Sequence, residues 1–541
     1  MENIITKVPE PRNEPILTYV PGSSEAKQLQ EELARLLSSH TEIPAIINGK
    51  PVKTGQSDTV RLPHQHKHTV AIYHKAGVEE IRAAVSGSQE AWRTWAFMPY
   101  EDRAAIFLKA ADLLAGPYRS VLNAATMLGQ SKTCHQAEID SACELIDFFR
   151  FNAFFQQQLY AIQPNSAAGQ WNKMEYRPLE GFVLAVTPFN FTSIAGNLPC
   201  SAALMGNVVL WKPATTSLFS SYFIMKLLEE AGLPPGVIQF LPSSGEMIGK
   251  VLLNDPLLAG IHFTGSTGTF QKMWKTVGDH ISTYRSYPRL VGETGGKDFI
   301  FAHPSADISA LMTAMVRGAF EYQGQKCSAA SRAYIPTSVW KKLREPLLEQ
   351  VRSIRMGDIT DFRNFMGAVI DRASFTNIQS YLEHARKSND VEILVGGKCS
   401  DEIGYFVEPT IIEAKNPSYK TMCEEIFGPV LTVYVYDDKR FEETLSLCDD
   451  TSPYALTGSI FSQDRNAVVL ATKLLTHSAG NFYINNKPTG AVVGQQPFGG
   501  SRGSGTNDKA GSLFNLLRWV SMRTISETFN PPTSYRYPFM G

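Results

Sequence analysis

The sequence predicts an α/β fold built on two mostly parallel sheets. Between residues 181 and 293, short apolar runs alternate with amphipathic helical stretches, and a similar series follows from residue 298. Strands that are apolar on both faces and separated by helices are typical of a parallel sheet covered by helices on both sides. The two series meet near the glycine pair Gly295 and Gly296, and we expect a ligand cleft between them.

The elements follow from local patterns in chain order. Residues 45–53 place Asn-Gly between two extended stretches, which predicts a hairpin. Apolar residues at helical spacing predict helices over 78–95 and 101–115. The strands predicted for the first sheet are 181–187, 207–212, 237–241, 259–263 and 289–293. Those predicted for the second are 298–302, 332–336, 392–396, 431–436 and 480–485, with helices over 307–322 and from 338. The alternating run RWVSMRTI predicts one more strand near the C-terminus.

Composition excludes several classes of protein. Of 541 residues, 43% are hydrophobic and 19% charged, which is ordinary for a globular protein. A net charge of −1 favours neither nucleic acid nor a membrane surface as a partner. The seven scattered cysteines indicate reduced thiols. No apolar run reaches the roughly 18 residues that span a bilayer. The first residues resemble neither a signal nor a transit peptide, so we expect a cytoplasmic protein, or a mitochondrial matrix protein whose transit peptide is missing.

The stretch HQHKHTV places His64, His66 and His68 at alternate positions, which would face one side of a strand. One interpretation is a metal site. A solvated edge strand is favoured instead, because three ring nitrogens on a flat strand rarely close a tetrahedral site without other ligands. We therefore predict no metal.

Three side chains are candidates for chemistry. Cys327, in YQGQKCSAAS, is flanked by small residues that leave room for a substrate, and Lys326 would favour its thiolate; a packed structural cysteine is the alternative. Glu293, in GETGGK, ends an apolar strand where desolvation would suit a general base, although a surface glutamate is the commoner case. Asn190, in PFNF, follows a strand and would stabilise an oxyanion, or would simply be a turn asparagine.

Two further stretches fit a nucleotide. Lys212, in WKPA, ends a predicted strand and would reach a ribose; an ordinary strand-end lysine is equally compatible. FTGSTGTF runs from a strand through a small-residue turn into a helix, whose first N–H groups would hold a diphosphate. It is not GxGxxG, and alone it fits a plain glycine turn.

The order PFN, KP, FTGS, E-x-GGK, GQKC and EEIFGPV resembles the aldehyde dehydrogenase superfamily from about residue 40 to 530. The resemblance implies two Rossmann-like parallel-sheet domains with a small β oligomerisation flap. It implies an NAD-binding domain over 1–295 that includes the helical N-terminal part, a catalytic domain over 296–500 and an oligomerisation segment over 501–541. A homodimer follows by the same resemblance.

The resemblance also assigns roles. Cys327 would attack an aldehyde as a thiolate, Asn190 would hold the oxyanion, and Glu293 would activate water to hydrolyse the thioester. NAD would contact Thr187, Lys212, Gly265, Ser266, Thr267, Gly268, Thr269, Glu425 and Phe427. The substrate would contact Phe191, Lys326, Ser328, Gly490, Ala491 and Phe498.

FEYQGQKCSA, VGQQPFGG and SGTND resemble the branch that oxidises L-glutamate γ-semialdehyde, the second step of proline degradation, in its stand-alone form. Two positions depart from expectation. Ala491 stands where this branch usually has serine, and Thr215 stands where many NAD-preferring members have a glutamate that excludes NADP.

Other functions stay open. The main alternative is a dehydrogenase for another semialdehyde, such as succinate semialdehyde. A cysteine hydrolase would need a histidine base, and none lies in these motifs. A non-catalytic relative would not need a thiol, a base and an oxyanion donor together.

Overall fold

The computed structural model describes residues 5–541. Its N-terminal part is a helical layer with short strands. The elements are α1 (Ser24–Ser38), β1 (Thr41–Ile43), β2 (Ala45–Ile47), β3 (Lys50–Val52), β4 (Ser57–Leu62), β5 (Gln65–His74), α2 (Val78–Trp95), α3 (Tyr100–Ala115), α4 (Arg119–Gln130), α5 (Cys134–Ala137), α6 (Leu145–Tyr160) and β6 (Gln170–Pro178). A π-helical segment, Glu138–Glu144, joins α5 to α6.

The first large sheet follows in sequence. Its elements are β7 (Phe182–Val186), α7 (Thr192–Leu204), β8 (Val208–Lys212), α8 (Leu218–Ala231), β9 (Ile238–Phe240), α9 (Gly245–Leu252), β10 (Leu258–Thr264), α10 (Thr267–Asp279) and β11 (Arg289–Glu293). The order is β11-β10-β7-β8-β9-β2-β3, with the hairpin β2–β3 added antiparallel at one edge. Strand β7 is almost wholly buried, which explains its continuous apolar run.

The second large sheet uses the rest of the chain. Its elements are β12 (Asp298–Ala302), α11 (Ile308–Phe320), β13 (Ala330–Pro336), α12 (Thr337–Arg352), α13 (Arg372–Arg386), β14 (Val391–Val395), β15 (Cys399–Ser400), β16 (Phe406–Val407), β17 (Thr410–Ala414), α14 (Lys420–Cys423), β18 (Val430–Tyr436), α15 (Phe441–Asp450), β19 (Tyr454–Ala455), β20 (Thr457–Phe461), α16 (Arg465–Leu474), β21 (Asn481–Ile484), β22 (Ser501–Arg502), α17 (Leu513–Leu517) and β23 (Val520–Thr528). The order is β14-β17-β18-β13-β12-β20-β21.

The predicted α/β class with two mostly parallel sheets is confirmed, and the predicted helices and strands lie where the sequence placed them. One strand departs from the parallel series, because β14 runs antiparallel to its neighbour β17. The sequence analysis also missed α1, β6 and the strands β17 and β20. The C-terminal strand β23 pairs antiparallel with β6, forming a two-stranded ribbon.

The histidine stretch differs from the solvated edge strand expected. Strand β5 is central in a small sheet of order β1-β5-β4, His64 is buried, and His66 stacks on Tyr405. Within residues 5–541, no three His, Cys, Asp or Glu side chains are grouped closely enough to hold a metal ion. All seven cysteines lie in the described part of the chain and are free thiols. Among the described helices, none is both long enough and apolar enough to cross a bilayer.

Candidate active site

The loop before β13 carries Cys327. Three successive residues upstream, Tyr322, Gln323 and Gly324, have φ values of 52°, 55° and 66°. This left-handed turn ends the helical path of α11 and leads the chain towards the first sheet. A side chain at Gly324 would overlap the backbone of Gly428, so glycine is required there.

The glycine pair brings three chain segments together. A Cβ on Gly295 would overlap the carboxylate of Glu425, and one on Gly296 would overlap the carbonyl oxygen of Cys327. With both side chains absent, the Gly296 N–H donates to Glu425 Oε1 at 2.9 Å. The E-x-GGK motif therefore places Glu293, Cys327 and Glu425 around one point between the two sheets.

Glu293 is the last residue of β11, as the sequence predicted. Its Oε2 accepts a hydrogen bond of 3.2 Å from the Gly500 N–H. Burial raises the pKa of Glu293 well above its ordinary value, although this hydrogen bond and Lys509 oppose the shift. A carboxylate with a raised pKa is a stronger base towards water, which is the property that a hydrolytic step needs.

Cys327 is half-buried, and its thiol faces three carboxyl groups. Burial, followed by Asp298, Glu293 and Glu425, raises the pKa of Cys327 well above its ordinary value. The expected help from Lys326 was wrong. Its Nζ instead lies 3.1 Å from Glu321 Oε2 in a buried ion pair, so the positive charge of Lys326 is neutralised by Glu321 and does not stabilise the Cys327 thiolate.

Asn190 lies between β7 and α7 and is 3% exposed. Its Nδ2 donates to the carbonyl oxygen of Gln325 at 3.1 Å, which ties it to the loop two residues before the nucleophile. The amide therefore faces the nucleophile loop and not solvent. An oxyanion donor is required to lie on this side, near the nucleophile.

A cavity of about 460 Å³ opens beside the nucleophile, a volume in the range of small-molecule sites. Cys327 and Glu293 both line it. All of the residues predicted to contact substrate line it too: Phe191, Lys326, Ser328, Gly490, Ala491 and Phe498. The Ser328 and Thr489 hydroxyls lie 2.8 Å apart, which ties the residue after the nucleophile to the residue before Gly490.

Sequence reasoning missed the acidic side of this cavity. Asp140, Glu144 and Asp147 line it from the π-helical segment and α6. The Oγ of Ser193 lies 2.7 Å from Asp140 Oδ1 and 3.0 Å from Glu144 Oε2. Burial, and to a smaller extent the charge of the neighbouring Asp140, raises the pKa of Glu144 to about 8. The acids Glu144 and Asp147 within the apolar run SACELIDFF could have indicated this wall of the site. Acidic side chains are rarely buried unless they have a partner.

Lys132 fixes this acidic side. It is fully buried, with its Nζ 2.6 Å from Asp140 Oδ2 and 4.4 Å from the ring centroids of both Phe191 and Tyr322. Asp140 in turn accepts from the Thr192 N–H at the start of α7. Lys132 thereby connects one wall of the cavity to the turn that leads to Cys327.

The predicted cofactor residues lie along the carboxyl edge of the first sheet. Ser266 caps α10, whose first N–H groups point out of the helix, and a Cβ on Gly268 would meet no atom within 4 Å. This open helix start fits a diphosphate. Lys212 ends β8, and burial lowers its pKa to about 8; Thr187 follows β7 and accepts from the Trp211 indole at 3.0 Å.

The remaining cofactor candidates come from the second sheet. Burial raises the pKa of Glu425 to about 7, and the neighbouring Phe427, at φ 59°, packs edge-on against Phe189 with ring centroids 5.8 Å apart. Both groups of candidates meet at the glycine pair, because the Gly295 N–H donates to Thr267 Oγ1 at 3.4 Å and the Gly296 N–H donates to Glu425 Oε1 at 2.9 Å. A single ligand that reaches from the open helix start to Glu425, such as a dinucleotide, fits this arrangement.

Residues 52–525 match the aldehyde dehydrogenase family. The chain belongs to this family. It is 56% identical over 98% of its length to the mitochondrial delta-1-pyrroline-5-carboxylate dehydrogenase of Dictyostelium discoideum, covering 96% of that protein. It is 50% identical over 98% of its length to the mitochondrial enzyme of that name from Homo sapiens, covering 94% of it. The crystal structure of the Mycobacterium tuberculosis Delta-pyrroline-5-carboxylate dehydrogenase bound with NAD superposes with a TM-score of 0.97, at 52% identity and full coverage of both chains.

Proposed function

We propose that this protein oxidises L-glutamate γ-semialdehyde, the open form of 1-pyrroline-5-carboxylate, to L-glutamate with NAD, as in proline degradation. One observation carries the proposal. The thiol of Cys327 and the carboxyl group of Glu293 line the same cavity as all of the predicted substrate contacts, in a chain that belongs to the aldehyde dehydrogenase family.

The chemistry follows from this chain's own groups. Cys327, as thiolate, attacks the aldehyde carbon and forms a thiohemiacetal, while Asn190 Nδ2 and the Cys327 N–H donate to its oxyanion. When bound, NAD would supply the acceptor for the hydride that leaves the thiohemiacetal carbon, and Cys327 would then carry a thioester. Glu293 then takes a proton from water, whose oxygen attacks the thioester carbon. Glutamate leaves as the thiolate is restored.

The cavity has a partner for each end of the substrate. The N–H groups of Gly490 and Ala491 and the Ser328 hydroxyl would bind the α-carboxylate, and Phe191 and Phe498 would flank the aliphatic chain. Glu144 adds a contact for the α-ammonium group, since its carboxyl group lines the same cavity. Succinate semialdehyde lacks this ammonium group and would leave Glu144 with the Ser193 hydroxyl alone, so the acidic wall favours the amino acid substrate.

The cofactor contacts are those of the open helix start and of Glu425. Ser266 to Thr269 would hold the diphosphate, Thr187 and Lys212 would approach the adenosine ribose, and Glu425 would bind the nicotinamide ribose. We expect NAD over NADP. Thr215 brings no acid to repel a 2′-phosphate, so NADP should also be accepted, at a lower kcat/KM than NAD.

A four-way assay tests the proposal. NADH or NADPH formation is followed with L-glutamate γ-semialdehyde and with succinate semialdehyde, each with NAD and with NADP. Turnover should be highest for glutamate semialdehyde with NAD. A preference for succinate semialdehyde would overturn the assignment. Cys327→Ala should abolish turnover while NAD still binds in calorimetry, and retained turnover would refute the role of the thiol.

Assembly and location complete the proposal. We propose a homodimer formed through the β6–β23 ribbon, on which Trp171 and Met522 are 52% and 51% exposed. Light scattering after gel filtration should give twice the chain mass.

We expect the cytoplasm as the compartment, with the mitochondrial matrix as the alternative that the named relatives suggest. Fractionation against marker enzymes separates the two.

A further inference from the structure

The first described residues of the chain reach the cavity. We call residues 8–20 the N-terminal strap; it has no regular secondary structure and crosses the π-helical segment and α6. Asn13, Glu14 and Ile16 of the strap line the same cavity as Cys327. None of the motifs described above includes these residues.

Asn13 uses its whole side-chain amide to join two elements of the site. Its Nδ2 donates to Asp147 Oδ2 on α6 at 2.8 Å and to the carbonyl oxygen of Val493 at 2.8 Å. Its Oδ1 accepts from Gln495 Nε2 at 2.9 Å. The next residue adds a second bond to α6, since the Glu14 N–H donates to Asp147 Oδ1 at 2.8 Å.

The loop that Asn13 holds is the one proposed to bind the α-carboxylate. We call residues 489–495 the anchor loop. Gly490 and Gly494 in it have φ values of 92° and 80°, and it contains no helix or strand. Inside the loop the Gln495 N–H donates to the Val492 carbonyl at 3.0 Å, and the rest of its shape depends on contacts with its surroundings. Besides Asn13, it is held by Lys487 Nζ, which donates to the Thr489 carbonyl at 2.9 Å, and by the Ser328 hydroxyl.

The strap itself is fixed by charge. Glu14 accepts from Arg119 Nη1 and from Arg150 Nη1, both at 2.6 Å. Further along, the Tyr19 hydroxyl donates to Glu138 Oε2 at 2.7 Å. These bonds follow Asn13 in the chain, and on its other side the Val8 N–H donates to Gln157 Oε1 at 2.9 Å. Asn13 is therefore supported by a rigid segment and can act as a brace.

We propose that Asn13 is a positioning residue that sets the anchor loop for the α-carbon end of the substrate, so that the N-terminal strap contributes to substrate recognition. The inference rests on the proposed function. Asn13 takes no part in bond making, and its contacts lie on the anchor-loop side of the cavity. Its loss should therefore weaken binding of a substrate with α-substituents and leave the thiol chemistry intact.

The test compares Asn13→Ala with the wild-type enzyme on two aldehydes. Loss of the bonds to Val493 and Gln495 should raise the KM for L-glutamate γ-semialdehyde about tenfold. The KM for NAD should stay within about twofold of wild type, because the cofactor contacts are elsewhere. Propanal has no α-amino or α-carboxyl group, and its kcat/KM should be unchanged.

Two further variants keep the test decisive. Gln495→Ala removes one of the same bonds from an exposed side chain, so it should fold normally and raise the same KM by a smaller factor. Tyr19→Phe removes one strap bond away from the cavity, while the two Glu14 bonds next to Asn13 remain, so the KM should stay near wild type. An unchanged KM in both Asn13→Ala and Gln495→Ala would overturn the inference, and so would an equal rise in Tyr19→Phe. Absence of wild-type turnover on the semialdehyde would instead refute the proposed function.

Discussion

Among the residues of the site, a substitution of Asn190 best distinguishes a catalytic role from a structural one. Asn190→Ala removes the amide proposed to hold the oxyanion. The methyl group that replaces it needs no hydrogen-bond partner. The side chain is 3% exposed and makes one hydrogen bond, from Nδ2 to the Gln325 carbonyl at 3.1 Å. Its structural contribution is thus a single buried bond, whereas its proposed catalytic contribution is a full oxyanion donor.

The two contributions differ in size. Loss of one oxyanion donor slows the chemical step about 10²–10³-fold, or about 2.7–4 kcal/mol in activation free energy. Loss of the bond to Gln325 leaves its carbonyl short of a donor and should lower the free energy of unfolding by about 1–3 kcal/mol. In a chain of this size, such a change lowers Tm by only a few degrees.

Stopped-flow fluorescence of NADH gives the rate of the first turnover, and differential scanning calorimetry gives Tm. Asn207→Ala is a matched control, because that buried asparagine also donates to main-chain carbonyls, those of Ala202 and Trp519, away from the cavity. The control should lower Tm without slowing the first turnover of the folded enzyme. If Asn190→Ala lowers Tm but slows the burst less than about fivefold, Asn190 is only a turn residue and the oxyanion assignment is wrong.

Three further predictions concern the groups around the thiol. Glu293→Gln should release about one equivalent of NADH per site in a burst and then turn over about 10²–10⁴-fold more slowly, because only deacylation needs the base; loss of the burst itself would show that Glu293 does more. Because burial and nearby carboxylates raise the pKa of Cys327 well above its ordinary value, the thiolate forms only as the pH rises, and inactivation by iodoacetamide should still be accelerating at the pH where an ordinary thiol has already levelled off; a plateau at or below that pH would contradict this. Gly296→Ala should lower kcat at least about tenfold, because its methyl group would overlap the Cys327 carbonyl, whereas Gly278→Ala, with no atom within 4 Å, should match wild type.

Much of the fold was readable because hydrophobic period and glycine position are local properties. The buried strand β7 and the helix α2 are each predicted by the hydrophobic pattern of their own residues. Strand direction is not local. The antiparallel course of β14 depends on pairing with β17, and β17 itself went unrecognised. The burial of His64 likewise depends on a sheet whose partners lie on both sides of β5.

The site was predictable where one short motif carries one chemical group. Cys327, Glu293 and Asn190 each stand in such a motif. The partner of Lys326 was not predictable, because Glu321 reaches it only through the left-handed turn at Tyr322. Glu144 and Asn13 were missed for a related reason. Only long-range packing brings each of them to the cavity, although the position of Glu144 within an apolar run was a signal.

The span of the cavity lining has a consequence for biosynthesis. Its walls draw on Asn13 near the start of the chain and on Asn515 near the end. A ribosome must therefore release almost the entire polypeptide before the pocket can close, since contacts so distant in sequence form late. Truncated products that already contain Cys327 would carry the sulfur without the enclosure that selects its aldehyde. Full-length synthesis is thus the step that turns an ordinary thiol into a selective one.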